Sequence, residues 1–364
     1  MQKKVCHLTS VHSIDDVRIF RKECTSLAAN GFDVTLIACG NESFEEIKNG
    51  VKRISLNVPV KNRLQRFFKR SKAVYKKALE VNADIYHFHD PELLPLGLKL
   101  KRKGKKVIYD SHEDLPRQIS YKSWIPEILK KPVAFISEVI ENYHAKKMDG
   151  IITVSDHIKK RFDKLHHNVV ICHNYASLNE FEKTSNWDIK HKNHVCYVGA
   201  ISKIRGIYNI VEATQKANVK LEVAGLTQSQ ELLNKLNSYN VIYHGFADRE
   251  KLKAIFNNCF VGLITFLPAP NHNYANPNKF FEYMAAGLPV IASNFITWKT
   301  IIDENELGIT VNPENIEEIA DAIMYLNQNK EIAKKMGENG RKAFEEKFNW
   351  QIEEKKLIEL YKHI

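Results

Sequence analysis

Residues 276–294, NPNKFFEYMAAGLPVIASN, place a single carboxylate, Glu282, in a predicted helix that is otherwise largely apolar. Asn276 is predicted to cap the start of this helix, and Gly287 to end it in a left-handed conformation. A carboxylate held here could accept two hydrogen bonds from a vicinal diol, as an acidic residue does for a ribose. The alternative is a surface ion pair with Lys279, which lies three residues earlier on the same helical face.

A second segment, VGAISKIRG, combines small residues with cations between a predicted strand and a predicted helix. Its candidate binding residues are Gly199, Ser202, Lys203 and Arg205, and Gly206 closes it. A diphosphate needs close backbone approach, free N–H groups at a helix start and mobile cations, all of which this segment offers. The alternative is that Lys203 and Arg205 are solvated surface residues.

Strand ends further along the second half supply more candidates. Gly225 follows the segment LEVAG, and Gly245 and Phe246 follow VIYHG. Ligands of open α/β sheets bind outside the carboxyl ends of the strands. We therefore expect Gly225, Gly245, Phe246, Asn276 and Lys279 to line the same nucleotide site.

Polar residues also follow the strands of the first half. The candidates there are His12, Asp16, Arg18, His87, His89, Asp90 and His112. A histidine at a strand end is often structural, so both roles stay open, although His112 is favoured because Asp110, Glu113 and Asp114 flank it. The run HFHD could hold zinc, but no cysteine or third ligand lies nearby at a metal spacing, so no metal site is predicted.

Hydrophobic periodicity predicts that strands and helices alternate along the chain. In the first half, strands are predicted at 3–11, 32–40, 53–58, 84–90, 105–113, 150–155 and 169–174, and helices at 15–31, 62–80, 92–102 and around 124–147. In the second half, strands are predicted at 194–199, 219–225, 240–245, 260–266 and 289–293, and helices at 206–217, 228–237, 248–257, 277–286, 314–328, 331–346 and 348–364. This alternation is typical of doubly wound parallel sheets, so the predicted class is α/β with two Rossmann-like domains.

The predicted domain limits follow from where the alternation is interrupted. Residues 1–175 form one domain, the polar segment 176–193 is a linker, and residues 194–349 form a second domain. With two such domains in one chain, we expect them to face each other across a cleft, with the active site in it.

Composition narrows the class of protein further. The chain has 364 residues with 44% hydrophobic and 27% charged, which is ordinary for a globular protein. No apolar run reaches the roughly 18–20 residues that span a bilayer. The formal net charge of +11 is concentrated in residues 51–150, which hold 22 Lys and Arg residues against 11 Asp and Glu. A concentrated basic region predicts a polyanionic partner.

Within this region, residues 61–79 contain eight Lys and Arg residues and no acid. Basic and aromatic residues at helical spacing are typical of a helix that lies on an anionic membrane. The alternative is a solvated helix with Phe67 and Phe68 in the core. A nucleic-acid-binding protein is a rival suggested by charge alone, and no recognisable nucleic-acid module supports it.

These residues resemble one known family. The chain resembles the GT-B glycosyltransferases, and among them glycosyltransferase family four, whose members are retaining and use nucleotide-sugars. The similar segments are HxxxDxRIFRKExxSLxxxG at 12–31, HFHDPELLPLG, VIYDSHE at 107–113, VGAISKIRG at 198–206 and PNKFFEYMAAGLPVIAS at 277–293.

The resemblance implies roles for particular residues. The first domain would bind the acceptor and the second the nucleotide, with Glu282 holding the ribose hydroxyls, Arg205 the diphosphate and His112 the donor sugar. The family usually has an arginine where this chain has Ala200, so Lys203 or Ser202 would substitute. Tyr274 stands where the family has a first glutamate that helps to hold the transferred sugar, which leaves the sugar open. The C-terminal helix, 350–364, is expected to pack back on the first domain.

The predicted function is therefore retaining transfer of a hexose from a nucleoside-diphosphate sugar, with UDP as the expected nucleotide. The acceptor would be a hydroxyl of a glycan or polyprenyl-diphosphate-linked glycan in bacterial surface polysaccharide biosynthesis, and His12, Asp16, Arg18, His87, His89 and Asp90 would bind it. No cofactor or metal is expected, and no nucleic acid. The protein is expected in the cytoplasm, at the inner face of the cell membrane. The alternatives are a GT-B sugar-nucleotide epimerase and a glycosyltransferase with a soluble acceptor.

Overall fold

The computed structural model describes residues 2–62, 65–119, 125–181, 193–238, 240–269, 272 and 276–364. The chain divides into two compact units. The N-terminal unit comprises Met1–Asn174 together with Ile352–Ile364, and the C-terminal unit comprises Tyr175–Gln351. Each unit has its own sheet and hydrophobic core, and the predicted α/β class with two parallel-sheet domains is confirmed.

The sheet of the N-terminal unit has eight strands in the order β3-β4-β2-β1-β5-β6-β7-β8. The strands are β1 (Lys4–Leu8), β2 (Asp33–Gly40), β3 (Phe44–Lys48), β4 (Val51–Asn57), β5 (Ile85–Phe88), β6 (Lys106–Ser111), β7 (Gly150–Thr153) and β8 (Val169–Ile171). All pairings are parallel except that of β3 with β4, an antiparallel hairpin at the sheet edge. The sequence analysis missed β3 because its five residues are all exposed and show no apolar alternation.

Helices cover both faces of this sheet. They are α1 (Thr25–Ala29), α2 (Ser71–Val81), α3 (Leu94–Lys101), α4 (Leu115–Ile119), α5 (Glu127–Ala145), α6 (Asp156–Phe162) and the C-terminal helix (Trp350–His363). π-Helical turns at Ile19–Cys24 and Arg66–Arg70 lead into α1 and α2, and a 3₁₀ turn at Pro91–Leu93 leads into α3. Helices α4 and α6 were not predicted. The other helices correspond to predicted ones, and α5 matches the region around 124–147.

Buried side chains of α2, α3, α5 and α6 belong to one core cluster, which also contains Phe88 of β5. Successive strand residues point to opposite faces, so His87 of β5 points to the other face. There it contacts Tyr361 of the C-terminal helix. Therefore α2, α3, α5 and α6 form one helical layer, and the C-terminal helix lies on the opposite face of the same sheet.

The sheet of the C-terminal unit has six parallel strands in the order β11-β10-β9-β12-β13-β14. The strands are β9 (His194–Val198), β10 (Lys220–Ala224), β11 (Val241–Tyr243), β12 (Cys259–Ile264), β13 (Val290–Ser293) and β14 (Gly308–Val311). The helices are α7 (Ile207–Lys216), α8 (Gln230–Leu236), α9 (Arg249–Asn258), α10 (Asn278–Ala285), α11 (Ile296–Asn305), α12 (Ile316–Gln328) and α13 (Lys330–Lys347). The sequence analysis missed α11 and β14.

The start of the segment predicted as a linker, residues 176–181, belongs to the C-terminal unit. Tyr175, Ala176 and Phe181 are buried in the core of the C-terminal unit, where the Tyr175 ring lies 4.3 Å from that of Phe281. Residues 182–192 lie outside the described part of the chain.

The helix that carries Glu282 begins one residue later than predicted. Pro277, not Asn276, occupies the cap position with an extended ψ of 131°, and no side chain caps the helix there. The prediction of an Asn276 cap is therefore wrong. Gly287 has φ of +70°, and its N–H and that of Leu288 bond back to Met284 and Tyr283, as predicted for a left-handed helix end.

None of the helices in the described ranges combines the length and the hydropathy of a membrane-spanning segment.

Candidate active site

The glycine residues predicted to bind nucleotide meet at one edge of the C-terminal sheet. Gly199 N–H donates to Ala224 O at 2.8 Å, and Gly225 N–H donates to Gly245 O at 2.7 Å. A Cβ on Gly225, whose φ is +151°, would lie 1.9 Å from the carbonyl oxygen of Gly199. The loops after β9, β10 and β11 thus pack backbone against backbone, and only glycine fits at position 225.

The segment between β9 and α7 forms a 3₁₀ turn at Lys203–Arg205, which ends at Gly206. Gly206 has φ of +75°, and a Cβ there would lie 2.0 Å from Thr265 O. This close approach fixes the start of α7 against the end of β12. Lys203 is exposed and Ser202 is half-buried beside it.

Two basic side chains flank one aromatic ring at this edge. The guanidinium carbon of Arg205 lies 4.2 Å from the centre of the Phe266 ring, and Lys279 Nζ lies 5.1 Å from it. Lys279 Nζ also lies 3.7 Å from the centre of the Tyr197 ring. Burial and the charge of Arg205 hold the pKa of Lys279 well below its usual value, despite the opposing effect of Glu282.

Neither basic side chain has an acidic partner among the described residues within ion-pair distance. Bringing two like charges together in a partly buried place costs free energy unless an anion compensates them. The arrangement of Arg205 and Lys279 is therefore chemically suited to bind an anion such as a diphosphate.

Glu282 is held by an arginine that the sequence analysis did not identify. Arg249, the first residue of α9, donates through Nη1 to Glu282 Oε1 at 2.7 Å, and its Nη2 lies 2.6 Å from Glu180 Oε1. The alternative of a Lys279–Glu282 surface pair is wrong, because Lys279 is buried against aromatic rings. Oε2 of Glu282 has no hydrogen-bond partner among the described residues, and it can accept from a ligand.

Two predicted nucleotide-site residues differ in how they are placed. Phe246 projects into solvent from the loop after β11, with 73% of its surface exposed. Asn276 is half-buried, and its Oδ1 is a buried acceptor without a partner in the described part of the chain. Tyr274, at the position of the family's first glutamate, lies outside the described residues.

In the N-terminal unit, the centre of the candidate site is Asp110 in β6. Arg18 donates to both carboxylate oxygens of Asp110 at 3.0 to 3.2 Å and to Cys172 O at 2.8 Å. Arg18 Nε also lies 3.0 Å from Glu23 Oε1. Burial opposes ionisation of Asp110, but Arg18 and His112 hold its pKa well below the usual value. Burial raises the pKa of Glu23 well above its usual value.

His112 lies at the accessible edge of this buried network. Its Nε2 is 2.9 Å from Asp110 Oδ2 and 3.1 Å from His89 Nδ1, and 14% of its side chain is exposed. Protein groups thus occupy the Nε2 edge of the ring, so a ligand would use the Nδ1 edge. A carboxylate that orients an imidazole in this way fixes its hydrogen-bonding direction.

His12 and Asp16 lie beside His112. His12 Nδ1 is 3.6 Å from Asp16 Oδ2, and its Nε2 is 3.4 Å from Asp90 Oδ1. The rings of His12 and His112 are 5.2 Å apart. Burial alone would lower the pKa of His12, but the hydrogen bond to Asp16 and the charges of Asp90 and Asp110 raise it above its usual value. The structure therefore brings His12, Asp16 and His112 together where a ligand can reach them.

The other predicted acceptor residues are buried. Arg18, His87, His89 and Asp90 have at most 4% of their surface exposed, so their contact with an acceptor stays a prediction. His87 Nδ1 lies 2.8 Å from the hydroxyl of Tyr361. The sequence pattern places these residues at strand ends but does not reveal how deep each side chain lies.

Possible metal ligands also differ from the sequence analysis, which found no third ligand near HFHD. Ligand atoms of His7, Glu23, His87 and His89 all lie within 4.8 Å of one another, as do those of His89, Asp110 and His112. The sequence could not show these clusters, because their residues are far apart in the chain and come together only in the folded structure. His7 Nδ1 and His89 Nε2 share a hydrogen bond of 2.9 Å, and Arg18 supplies a positive charge beside Glu23.

The basic segment at 61–79 is only partly available to a partner. Residues 63–64 lie outside the described chain. Phe68 is 67% exposed, so the alternative that places both phenylalanines in the core is wrong. Arg70 donates to Ser10 O at 3.3 Å and to Val58 O at 3.4 Å, and Arg66 lies 3.6 Å from Glu92. These two arginines therefore also hold the fold together.

The two parallel-sheet α/β units are the architecture of the GT-B glycosyltransferases, and solved structures of that class share this fold. Residues 18–179 match the family model for Glycosyltransferase Family 4, and residues 179–343 match the model for Glycosyl transferases group 1. The chain is thus a glycosyltransferase built from these two family domains, and the resemblance inferred from its motifs is confirmed.

Two curated relatives cover nearly the whole chain at low identity. An uncharacterized glycosyltransferase of Methanocaldococcus jannaschii is 24% identical over 92% of this chain and 89% of its own length. The capsular polysaccharide biosynthesis glycosyltransferase CapM of Staphylococcus aureus is 22% identical over 99% of this chain and 97% of its own length.

Solved structures share the fold. Sucrose-phosphate synthase from Thermosynechococcus elongatus aligns with a TM-score of 0.78 and 17% identity, covering 100% of this chain and 99% of its own. HepE from Anabaena, solved in complex with UDP, aligns with a TM-score of 0.73 and 13% identity, covering 100% of both chains.

Proposed function

We propose that this glycosyltransferase transfers a hexose from a UDP-sugar to a hydroxyl of a polyprenyl-diphosphate-linked glycan, with retention at the anomeric carbon. The proposal places the reaction in bacterial surface polysaccharide biosynthesis, at the cytoplasmic face of the membrane. The observation that carries it is the pair of basic side chains, Arg205 and Lys279, which lie beside the glycine loops and have no acidic partner among the described residues. The N-terminal unit would bind the acceptor and the C-terminal unit the donor.

The nucleotide and pathway are proposed on the strength of relatives. HepE from Anabaena has been solved with UDP and with UDP-glucose, and it shares the fold of this chain. CapM is named for capsular polysaccharide biosynthesis. A uridine diphosphate would place its ribose hydroxyls against Glu282 and its phosphates against the cations.

In this mechanism, the reaction depends chiefly on stabilising the leaving group. Cleavage of the glycosidic bond places negative charge on the diphosphate, and Arg205, Lys203 and Lys279 stabilise that charge more in the transition state than in the ground state. The acceptor hydroxyl attacks from the face that the diphosphate leaves, and the departing phosphate oxygen takes its proton. These side chains supply the compensating charge, so we propose that no metal is required.

The acceptor side of the reaction would involve the accessible residues of the N-terminal unit. His112, oriented by Asp110, would hydrogen-bond the donor sugar, and His12 with Asp16 would contact the acceptor. The buried residues Arg18 and His89 would act indirectly, by holding Asp110 and His112 in place.

Replacing Glu282 by alanine tests the donor site. The variant is expected to bind UDP about 1–3 kcal/mol more weakly, the scale of a hydrogen bond to a charged group, because the ribose hydroxyls lose their acceptor. Glu282→Gln is expected to lose less, since one acceptor oxygen remains. Arg249 keeps its contact with Glu180 in both variants, so the fold should be intact. Titration calorimetry measures the affinity.

The matched control is Glu317→Ala, which removes an exposed glutamate paired with Lys216 in the same unit and should leave UDP affinity unchanged. Normal UDP binding by Glu282→Ala would refute the ribose role. Product analysis separates the wider alternatives: a free, epimerised nucleotide-sugar would establish an epimerase, and a glycan carrying the donor sugar establishes a transferase.

Because the pKa of Lys279 is lowered, we expect the protein to take up a proton when it binds UDP. Its pKa is held well below the usual value in the free protein, and a diphosphate beside it would favour the charged form and raise that pKa. Between the two pKa values, binding should absorb up to about one proton, and affinity should increase as the pH falls. Calorimetry in buffers of different ionisation enthalpy measures the uptake.

Lys279→Met provides the comparison. The variant should bind UDP without this proton uptake and should be at least as stable as the parent, because a buried amine without a hydrogen-bond partner in the described residues is replaced by an apolar group. An unchanged proton count in Lys279→Met would contradict the assignment.

A further inference from the structure

The long helix α5 exposes a continuous apolar face. We define the α5 apolar face by its eight exposed hydrophobic residues: Ile128, Leu129, Val133, Phe135, Ile136, Val139, Ile140 and Tyr143. At about 100° per residue, they fall within an arc of roughly 160°. The side chains of Ile128, Phe135 and Ile136 are 85%, 69% and 55% exposed. A contiguous patch of this kind on a described surface indicates an interaction site.

The charges of α5 are separated from this face. The three acids of the helix lie outside this face: Glu127 is exposed and pairs with Lys130 at 2.6 Å, Glu138 lies 3.0 Å from Arg117, and Glu141 is buried with Tyr109 and Arg161. At the same angular spacing, these glutamates fall outside the arc of the apolar face.

Lysines border the α5 apolar face. Lys131 lies beside it, and Lys146 and Lys147 follow its last turn, where Lys147 Nζ lies 3.7 Å from the centre of the Tyr143 ring. Lys131, Lys146 and Lys147 are all exposed. An apolar face with a basic border and no acid within it complements an anionic lipid surface.

The same helical layer carries the basic residues of α2. Helices α2, α3 and α5 cover one face of the N-terminal sheet, as their shared core shows. Lys69, Lys72 and Lys76, on α2 and the turn before it, are exposed, as is Phe68. The surface available to a membrane is therefore wider than the segment at 61–79 that the sequence indicated, and α5 supplies most of its apolar area.

We propose that the α5 apolar face docks this enzyme on an anionic lipid bilayer, with the lysines of α5 and α2 against the headgroups. The proposal rests on the proposed function, because a polyprenyl-linked acceptor is itself in the membrane. A second copy of this chain fits less well, since a two-fold contact would bring the same lysine border to both sides.

Side-chain contacts connect the docking helix to the candidate site. Arg117 of α4 lies 3.0 Å from Glu138 of α5 and 3.5 Å from Asp114. Asp114 follows His112 by two residues. Docking through α5 would therefore hold the His112 loop near the membrane surface, where the hydroxyl of a lipid-linked acceptor is presented.

A triple variant tests the proposal: Ile128→Gln, Phe135→Gln and Ile136→Gln. Glutamine keeps helix propensity while removing the apolar contacts. Flotation with phosphatidylglycerol-containing vesicles, and with phosphatidylcholine vesicles, measures the bound fraction. The parent should bind the anionic vesicles and lose binding at high salt, and the triple variant should bind at least about tenfold less.

The matched control replaces three exposed isoleucines elsewhere: Ile47→Gln, Ile296→Gln and Ile332→Gln. It should float as the parent does. Undiminished flotation of the α5 variant, or no flotation of the parent at low salt, would overturn the proposal. So would loss of a parent dimer in sedimentation velocity without loss of vesicle binding, because the face would then bind a second copy.

Thermal shifts with UDP separate this proposal from the proposed function. The α5 variant should keep the UDP-induced shift of the parent, because the donor residues are in the C-terminal unit. The two proposals can fail separately. If UDP shifts the melting temperature of neither the parent nor the α5 variant, the donor assignment is wrong. If the parent still floats with anionic vesicles and the α5 variant does not, the docking proposal is nevertheless supported.

Discussion

Arg205→Ala is expected to lower kcat by roughly 10²–10³-fold, the usual cost of removing one preorganised group that stabilises developing charge. The effect on KM should be smaller, because the charge on the diphosphate is greater in the transition state than in the bound donor. Lys203 and Lys279 would remain and retain part of the binding. Steady-state kinetics with a UDP-sugar and a defined acceptor give the two constants separately.

Two comparisons sharpen the result for Arg205. Arg205→Lys should recover part of the lost kcat, since it keeps a cation but loses the planar stacking on Phe266. Lys299→Ala removes an exposed cation paired with Asp303 in the same unit and should leave both constants unchanged. An alanine variant that loses only affinity, with kcat intact, would show that Arg205 binds the donor without stabilising the leaving group.

Arg18→Leu is expected to destabilise the N-terminal unit by about 3–5 kcal/mol, the typical effect of breaking a buried ion pair by removing one partner. The substitution leaves Asp110 without its main counter-charge in a place with no solvent, and the carbonyl of Cys172 also loses its donor. Chemical denaturation followed by fluorescence and circular dichroism measures the change in the free energy of unfolding.

The control for Arg18 is another arginine of the same unit. Arg117 pairs with Asp114 and Glu138, but 47% of its side chain is exposed, so Arg117→Leu should cost no more than about 1 kcal/mol. Similar losses for the two variants would contradict the role given to burial.

The pH dependence of this difference has a definite sign. The folded-state pKa of Asp110 lies well below its unfolded value, so the stabilisation from its carboxylate is complete above the unfolded pKa, about 3.9. It is lost as the pH falls through the folded-state pKa. The stability difference between parent and Arg18→Leu should therefore be constant near neutral pH and narrow in strong acid.

Periodicity predicted most elements of both sheets because buried parallel strands are continuous apolar runs. It missed β3, which is wholly exposed at an edge and held only by its partner β4. A local signal was present: Asn49 and Gly50 both have positive φ, and an Asn-Gly pair is a strong hairpin signal. It also missed α11, which has only two buried residues, Trp298 and Ile302.

The site was predictable to the extent that it follows strand ends. The loops containing Gly199, Gly225 and Gly245 meet as the topology requires. The partner of Glu282 was not predictable, because Arg249 lies 33 residues away and its position depends on the packing of α9 beside α10. The burial of His87 was also not predictable. The alternation of residues in β5 shows which face of the sheet His87 lies on, but not which helix covers it.

That covering helix has a consequence for the order in which the protein assembles during synthesis. Tyr361 fills the space beside His7 and His87 in the N-terminal core, yet residues 352–364 leave the ribosome after the whole of Tyr175–Gln351. The N-terminal unit is therefore completed only after the C-terminal unit has been synthesised, and until then the surface around His7 and His87 lacks the helix that covers it. We expect the apolar surface exposed in this way to recruit chaperones until residues 352–364 have been synthesised.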